Sequence, residues 1–270
     1  VELGPLRLAS PVLVAAGTFG YGIEFAEAVP LRRLGAIITK TITAQPRLGN
    51  PPPRLVETPS GMLNAVGLQN VGLEAFVREK LPALAELGPP IIVSILAESP
   101  EDVQAMLARL EHPAVAAVEL NLSCPNSQWK GSAGASTGAA AGPRMVAQDP
   151  EATAALVRAA RASTRKPLIA KLSPDVTDLR PVALAAEGAG ADVLSLVNTF
   201  TGMSLDPATR RSRLGSLTGG LSGPAVRPLA VYRVWAVRQA VRCPILGLGG
   251  IVRAEDAVEF FLAGADAVAV

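Results

Sequence analysis

Eight short, predominantly apolar segments separated by amphipathic stretches are the feature that most restricts the fold of this chain. They cover residues 11–17, 35–40, 90–96, 115–121, 167–172, 192–198, 244–250 and 266–270. Continuous apolar character is typical of strands buried on both faces of a parallel sheet. Stretches between them have the apolar spacing of helices, as in 24–35, 99–111, 149–164 and 256–265. Eight strand–helix units predict an α/β protein with a closed (β/α)8 TIM barrel, ahead of an open doubly wound sheet.

The two ends of the chain complete this prediction. The first ten residues predict a β-hairpin that turns at Gly4-Pro5 ahead of the barrel. The last apolar segment ends at Val270, so the eighth strand is the final predicted element and no eighth helix is present. We expect a single barrel domain over residues 1–270.

Composition excludes several classes of protein. A net charge of +2 without a long basic run does not indicate nucleic-acid binding. No apolar stretch reaches the roughly 20 residues of a membrane helix, and the N-terminus does not resemble a signal peptide. Two cysteines, Cys124 and Cys243, form no disulfide framework, and we expect a cytoplasmic protein. The single histidine, His112, argues against a Ser–His–Asp triad, and no carboxylate cluster indicates a metal site.

Chemically useful side chains collect where the predicted strands end, which is the active-site face of barrel enzymes. Lys40 and Lys171 close two strands, and Asn121 and Asn198 close two others. Amides suit the edge of a planar heterocycle that carries both NH and C=O groups. Lysines supply positive charge for an anion or for negative charge that develops during a reaction. The sequence therefore predicts a site at this rim.

The segment "NLSCPN" places Cys124 between two asparagines just beyond the fourth strand. A thiol acts as a base or nucleophile when nearby cations or hydrogen bonds favour the thiolate. The alternative is a small buried hydrophobe, which is our interpretation of Cys243, at the opposite end of the barrel. Glu119, inside the fourth strand, is predicted to be structural.

Glycine-rich segments and long connections complete the rim. In "LGLGGI" (246–251), Gly249 and Gly250 offer backbone N–H groups to a phosphate. In "TGGLSGPAV" (218–226), Ser222 is a candidate helix cap and Pro224 a first-turn residue. Connections 41–70 and 126–148 are too long for simple turns, and the second resembles a mobile lid beside the cysteine.

Several motifs, in order along nearly the whole chain, resemble the class 1 dihydroorotate dehydrogenases, specifically class 1B. They are "KTITAQPRLGNPPPRLVETPSGMLNAVGLQN", "NLSCPN", "KLSPDVTD", "SLVNTFTGM", "GGLSGPA" and "GLGGI". The resemblance implies an FMN-binding flavoprotein, an oxidoreductase that converts (S)-dihydroorotate to orotate in de novo pyrimidine (UMP) biosynthesis. It also implies a homodimer that joins a separate subunit with FAD and a 2Fe–2S cluster, forming a heterotetramer that passes electrons to NAD.

The resemblance further implies roles for individual residues. Cys124 matches the base that removes the C5 proton while hydride passes from C6 to N5 of FMN. Substrate contacts are implied for Lys40, Asn64, Ala65, Val66, Gly67, Leu68, Asn121, Asn126, Asn198 and Thr199. Cofactor contacts are implied for Ala16, Gly17, Lys40, Thr41, Ser94, Asn121, Lys171, Val197, Gly223, Gly249 and Gly250. The family usually has serine at the position of Ala16 and asparagine at that of Ser94.

Three alternatives remain open at this point. A dihydropyrimidine dehydrogenase-like flavin barrel shares the N-x-SCP segment but places its cysteine further along the next loop, whereas residues 127–150 contain none. A cofactor-free lyase would use Lys40 or Lys171 to form a Schiff base, which leaves the Asn–Cys–Asn arrangement unexplained. A non-catalytic barrel subunit would fit the departures at Ala16 and Ser94.

Overall fold

The structure, a computed structural model, describes residues 1–97, 99–123 and 145–270. Its secondary structure alternates strands and helices, as the apolar pattern predicts. The strands in chain order are β1 (Glu2–Leu3), β2 (Leu6–Arg7), β3 (Val12–Leu13), β4 (Ile37–Ile38), β5 (Leu55–Thr58), β6 (Gly61–Asn64), β7 (Ile91–Ile95), β8 (Val115–Asn121), β9 (Leu168–Lys171), β10 (Val193–Leu196), β11 (Phe200–Gly202), β12 (Leu205–Asp206), β13 (Arg211–Ser212), β14 (Gly219–Ser222), β15 (Ile245–Leu248) and β16 (Ala267–Ala269). The α-helices are α1 (Leu73–Ala75), α2 (Leu81–Ala85), α3 (Pro100–Leu110), α4 (Pro150–Ser163), α5 (Arg180–Gly188), α6 (Arg227–Arg238) and α7 (Ala254–Leu262).

The eight predicted barrel strands pair in parallel in one sheet, in the order β3-β16-β15-β10-β9-β8-β7-β4. A parallel bridge between Val14 and Ile37 joins the two outermost strands. This bridge includes the hydrogen bond from Ile38 N to Val14 O at 3.2 Å. The sheet thus curls on itself, and the predicted (β/α)8 barrel is confirmed.

Alternate residues of the barrel strands fill the barrel interior. Ile38, Ala117, Ile169 and Leu246 belong to one buried cluster that receives residues from every barrel strand. Leu3, Leu6 and Leu8 of the predicted N-terminal hairpin belong to the same cluster. The hairpin β1–β2 turns at Gly4, which lies against the backbone of Asp192, just before β10. The hairpin therefore closes the N-terminal end of the barrel.

The helices pack outside the barrel, and their sequences show why they begin where they do. The hydroxyl of Ser99 caps α3 by accepting a hydrogen bond from Asp102 N at 3.1 Å. Pro100 is the first residue of α3, a position where proline is favoured because no helical hydrogen bond needs its missing N–H. The carboxylate of Asp149 caps α4 in the same way, accepting from Glu151 N at 2.8 Å. Apolar faces of these helices join the large cluster between the helices and the barrel. Within the described ranges, no helix is long and apolar enough to cross a membrane.

The opposite end of the barrel carries a structure that the sequence pattern does not reveal. A four-stranded antiparallel sheet, in the order β11-β14-β6-β5, is built from the connections that follow β4 and β10. A small hairpin, β12–β13, extends from the second connection. Because both connections leave the C-terminal ends of barrel strands, this sheet covers the face on which the candidate site residues lie.

Two local predictions differ from the structure. Residues 24–35 form two short 3₁₀ turns, Ile23–Phe25 and Leu31–Arg33, rather than one helix, because Pro30 cannot continue a helix. Ser222 does not cap a helix, because it is the last residue of β14 and its hydroxyl donates to Met62 O at 3.4 Å. Pro224 does lie in a helical first turn, that of Pro224–Val226.

Candidate active site

A cavity of about 340 Å³ lies between the C-terminal ends of the barrel strands and the four-stranded sheet. Many residues that the family resemblance singles out line this cavity. These are Ala16, Gly17, Lys40, Thr41, Asn64, Ala65, Val66, Gly67, Leu68, Asn121, Lys171, Asn198 and Thr199. They come from the ends of five barrel strands, β3, β4, β8, β9 and β10, and from the connection after β4, so the fold brings together segments that are far apart in sequence.

Other predicted site residues lie elsewhere. Ser94 is fully buried below the cavity, and Val197 is buried just beyond β10. Gly223, Gly249 and Gly250 are half-buried and are not among the residues that line the cavity. Cys124 and Asn126 lie outside the described residues, as do most of the lid predicted at 126–148 and the end of the "NLSCPN" motif.

Two asparagines from different strand ends form a hydrogen-bonded cluster on the cavity wall. Asn198 Nδ2 donates to Asn121 Oδ1 at 3.3 Å and to Ser123 Oγ at 2.6 Å. Asn198 Oδ1 in turn accepts from Thr199 N at 2.9 Å. Both amides are half-buried, so they remain available to a ligand while their orientation is fixed by these bonds. The register of the sheet explains this proximity, since β8 and β10 both pair with β9.

Two lysines supply positive charge to the cavity. Lys171 pairs in register with Asn121 and is only 5% exposed. Among the described residues, none accepts a hydrogen bond from Lys171 Nζ. Burial lowers the pKa of the Lys40 amine below its ordinary value, and Arg54 reinforces this shift while the Glu24 carboxylate opposes it. A cavity with two cations and several amides is chemically suited to a small anionic ligand that carries carbonyl groups.

The connection after β4 forms the outer wall of the cavity. Asn64 Nδ2 donates to Gly220 O at 3.1 Å, which joins β6 to β14. Arg54 holds the same connection together, donating through Nη1 to Gln69 Oε1 at 2.7 Å and through Nη2 to Leu48 O at 2.9 Å. These bonds shape the stretch from Asn64 to Leu68 that the family resemblance assigns to the substrate.

A second, smaller feature lies beside the cavity, where three glycines meet. Gly223, Gly249 and Gly250 all have positive φ, at 97°, 127° and 75°. A Cβ on Gly250 would lie 2.6 Å from Gly223 O, so no larger residue fits there. Among the described residues, none accepts a hydrogen bond from the backbone N–H of these glycines. Free N–H groups on a tight turn are the donors that a phosphate requires.

Sequence reasoning missed several residues of the cavity. Ser123, Thr201 and Asp175 line it, and Thr201 Oγ1 donates to Asp175 Oδ2 at 2.6 Å. Ser123 lies within the "NLSCPN" motif, and its position next to Asn121 was a signal that the motif offered. The remaining lining residues were not singled out as contacts, although segment 218–226 was placed at the rim. Half of them belong to the four-stranded sheet, for which the apolar pattern contains no signal: Leu55, Met62, Gly219, Gly220 and Ser222. The others lie outside it: Thr18, Asn50, Met145, Ser216 and Thr218.

Cys243 is far from the cavity, as its position before β15 predicts. Burial and the Glu187 carboxylate raise the pKa of the Cys243 thiol to about 12. Glu187 Oε1 also accepts a hydrogen bond from Cys243 N at 2.7 Å. A thiol that stays protonated near neutral pH is a poor nucleophile, which agrees with a structural role for this cysteine.

The comparisons with known proteins agree with the resemblance seen in the motifs. The family model for dihydroorotate dehydrogenase matches residues 1–270. The chain is 53% identical to the dihydroorotate dehydrogenase B (NAD(+)) catalytic subunit of Desulforudis audaxviator, over all of this chain and 84% of the relative. It is 49% identical to the protein of the same name from Trichlorobacter lovleyi and 50% identical to that from Pelobacter propionicus, over all of this chain and 85% of each relative.

Proposed function

Because this chain belongs to the dihydroorotate dehydrogenase family, and within it to class 1B, we propose that it oxidises (S)-dihydroorotate to orotate with FMN and passes the electrons to a partner subunit. The observation that carries the proposal is the convergence of Asn121, Asn198, Lys40 and Lys171 on one cavity at the C-terminal end of the barrel. The chain is an oxidoreductase by family, and this cavity is where we place its reaction.

The substrate would be held by amides and by positive charge. Dihydroorotate is a heterocycle that presents alternating NH and C=O groups along its ring edge, and it carries one carboxylate. Asn64, Asn121 and Asn198 supply amide donors and acceptors on the cavity wall. Lys40 supplies a cation for the carboxylate, and its partial burial strengthens that attraction. We assign the backbone of Ala65, Val66, Gly67 and Leu68, together with Thr199 and Asn126, to the remaining substrate contacts.

The chain also has residues that fit FMN. When bound, FMN accepts the hydride from C6 of the substrate at its N5 atom. Ala16, Gly17, Thr41 and Lys171 line the inner part of the cavity, where Lys171 would stabilise negative charge on the isoalloxazine ring. The free N–H groups of Gly223, Gly249 and Gly250 would hold the phosphate. Val197 and Ser94 lie next to this group of residues and shape the wall behind it.

The proton step is assigned to Cys124. It follows Ser123 in the sequence, and the Ser123 hydroxyl accepts from Asn198 Nδ2, so the residue before Cys124 belongs to the amide cluster on the cavity wall. The thiolate would take the proton from C5 of dihydroorotate as the C6 hydride departs, leaving the C5–C6 double bond of orotate. Lys40 would favour the thiolate by its charge.

The electron acceptor is assigned to a separate protein. The relatives are named catalytic subunits of NAD-linked enzymes, and a catalytic subunit implies a partner. This chain contains two cysteines, fewer than the four thiolates that usually hold a 2Fe–2S cluster. We therefore place the cluster and FAD on a partner subunit, in a heterotetramer built on a homodimer of this chain.

An anaerobic visible spectrum tests the proposal directly. The purified protein is supplemented with FMN, freed of excess flavin, and mixed with dihydroorotate without any partner subunit. Bleaching of the flavin band at ~450 nm is the expected result, because the first half-reaction needs only this chain. A retained flavin band that dihydroorotate leaves unchanged would contradict the proposed substrate. Protein that keeps no flavin would contradict the proposed cofactor site.

A further inference from the structure

A line of hydrogen bonds connects a carboxylate inside the barrel to the amides on the cavity wall. Glu119 is fully buried, and its Oε1 accepts from Ser94 Oγ at 2.9 Å. Ser94 Oγ lies 3.0 Å from Thr41 Oγ1, and Asn121 Nδ2 donates to Thr41 Oγ1 at 3.2 Å. Glu119 itself does not line the cavity, so its side chain does not contact a ligand there, and these bonds are its connection to the cavity wall.

The carboxylate dictates the direction of every bond in this line. Ser94 Oγ donates to Glu119 Oε1, so the single hydroxyl hydrogen of Ser94 is committed to Glu119. Thr41 must then donate its own hydrogen to Ser94 Oγ, and it can only accept from Asn121. The carbonyl side of the Asn121 amide is thereby excluded from facing Thr41.

The bonds on the other side of Asn121 agree with this direction. Asn121 Oδ1 accepts from Ser123 N at 3.3 Å and from Asn198 Nδ2 at 3.3 Å. With its oxygen engaged by these donors, Asn121 has one remaining Nδ2 hydrogen that no described residue accepts. The side chain lines the cavity, so that hydrogen is available to a ligand.

We propose that Glu119 is a positioning residue, which acts through Ser94 and Thr41 to hold Asn121 with its amide N–H toward the cavity. Asn121 then meets a ligand as a hydrogen-bond donor, and selects a carbonyl or carboxylate oxygen at that point. The orientation of Asn121 follows from the bonds alone. Its consequence for dihydroorotate or orotate rests on the proposed function.

The surroundings of Glu119 show that packing alone does not account for a carboxylate at this position. The neighbouring interior residues Ile92, Ala117 and Ile169 are apolar and fully buried. Glu119 Oε2 is also buried and has no hydrogen-bond partner among the described residues. Burial of such a group costs free energy that an apolar side chain would avoid, and its hydrogen bond to Ser94 is the contact through which it orients its neighbours.

Side-chain amide spectra of the protein without substrate test the orientation. The chain has six asparagines, so protein labelled with ¹⁵N-asparagine gives six NH₂ pairs, and Asn121→Ser identifies the pair of Asn121. Glu119→Leu removes the acceptor, and Ser94→Ala interrupts the line while it keeps the carboxylate. Both substitutions are expected to shift the NMR signals of the Asn121 NH₂ pair and to leave the signals of the Asn50 and Asn70 pairs unchanged. Glu119→Gln, which keeps an acceptor oxygen, is expected to restore the wild-type position.

Ser195→Ala is the matched control. Ser195 is fully buried, its hydroxyl has no hydrogen-bond partner among the described residues, and it pairs in register with Lys171. Its replacement perturbs the same barrel interior without touching the line of bonds. It is expected to move none of the asparagine pairs, whereas a general loosening of the interior would move them in this variant too.

Orotate affinity, measured by calorimetry, tests the consequence. Glu119→Leu and Ser94→Ala are expected to bind orotate about tenfold more weakly, and Glu119→Gln and Ser195→Ala like the wild type. Unchanged chemical shifts of the Asn121 NH₂ pair in both Glu119→Leu and Ser94→Ala would overturn the proposal. A shift of the same size in Ser195→Ala would overturn it too. If Glu119→Leu does not fold, Ser94→Ala decides. Wild-type protein that does not bind orotate would instead refute the proposed function, and the amide spectra would still decide the orientation.

Discussion

Asn64 and Gly220 are joined by a hydrogen bond of 3.1 Å from the Asn64 side-chain amide to the Gly220 carbonyl. The bond links β6 to β14, and the two residues also pair in register within the four-stranded sheet. It fixes one wall of the cavity by connecting segments that lie on different sides of the barrel mouth. This bond uses one of the two Nδ2 hydrogens of Asn64, which leaves the other hydrogen and the side-chain oxygen for a ligand.

Gly220→Ala is expected to destabilise the protein and to weaken orotate binding. A Cβ at this position would overlap Thr199 Oγ1 and would lie 2.7 Å from Thr199 Cβ. The resulting displacement of Thr199 should lower the free energy of unfolding by about 1–3 kcal/mol. Thermal unfolding and orotate titration measure the two effects.

Gly188→Ala is the control for this substitution. A Cβ on Gly188, the last residue of α5, meets nothing within 4 Å. The free energy of unfolding of the Gly188→Ala variant should be unchanged or raised by up to about 1 kcal/mol. Equal losses of stability in Gly220→Ala and Gly188→Ala would show that the contact with Thr199 does not cause the destabilisation.

Arg54→Lys is expected to loosen the wall made by residues 47–70. The Arg54 guanidinium donates to Asn50 O, Gln69 Oε1 and Leu48 O, at 2.6, 2.7 and 2.9 Å. A lysine keeps the charge but cannot make this planar set of bonds. Limited proteolysis should cut this connection faster, and orotate should bind about tenfold more weakly. Arg158→Lys, on the exposed face of α4, should change neither quantity.

Lys40 should make stability depend on pH in the alkaline range. Burial lowers the pKa of Lys40 in the folded protein below the ordinary value of 10.5, which the unfolded chain keeps. Between the pKa of the folded protein and that of the unfolded chain, the unfolded chain therefore binds more protons. Stability contributed by this group must therefore rise with pH through that window. The difference in unfolding free energy between wild type and Lys40→Met, measured in urea from pH 7 to pH 10.5, should grow in favour of the wild type. A difference that does not change with pH would contradict the lowered pKa.

Cys124→Ala is expected to abolish most of the turnover while orotate binding remains. Loss of a general base typically lowers kcat by about 10²- to 10⁴-fold. Stopped-flow bleaching of the flavin band by dihydroorotate measures this step in the absence of the partner subunit. Wild-type rates in this variant would remove Cys124 from the mechanism.

Cys243→Ala provides the matched cysteine control and a prediction of its own. It should leave the rate of bleaching unchanged, since Cys243 lies at the other end of the barrel. In the Cys124→Ala variant, where Cys243 is the remaining thiol, alkylation by iodoacetamide at pH 8 should be slow, because the pKa of Cys243 is about 12. Rapid labelling of the folded variant would contradict this value.

The sequence predicted the barrel and the face that carries the site, but not the whole cavity. Lys40, Asn121, Lys171 and Asn198 were identified from strand ends alone, and the structure brings all four to one cavity. Ser123 and Asp175 were not selected, although both lie within motifs that carry the family resemblance, because a polar residue in a loop has no periodic signal. Predicted roles for Cys124 and the other site residues stay predictions, to be decided by the experiments above.

The local pattern of residues specifies the repeating strand–helix unit of this protein. Eight apolar segments separated by amphipathic stretches can bury both faces only in a helix-covered parallel sheet, and parallel strands necessarily bring their C-terminal ends to one rim. Which polar groups face one another at that rim depends on the tertiary structure. The pairing of Gly61–Asn64 with Gly219–Ser222 and the line from Glu119 to Asn121 both depend on contacts between distant segments. Such contacts follow from the register and closure of the barrel, which no local pattern of residues specifies.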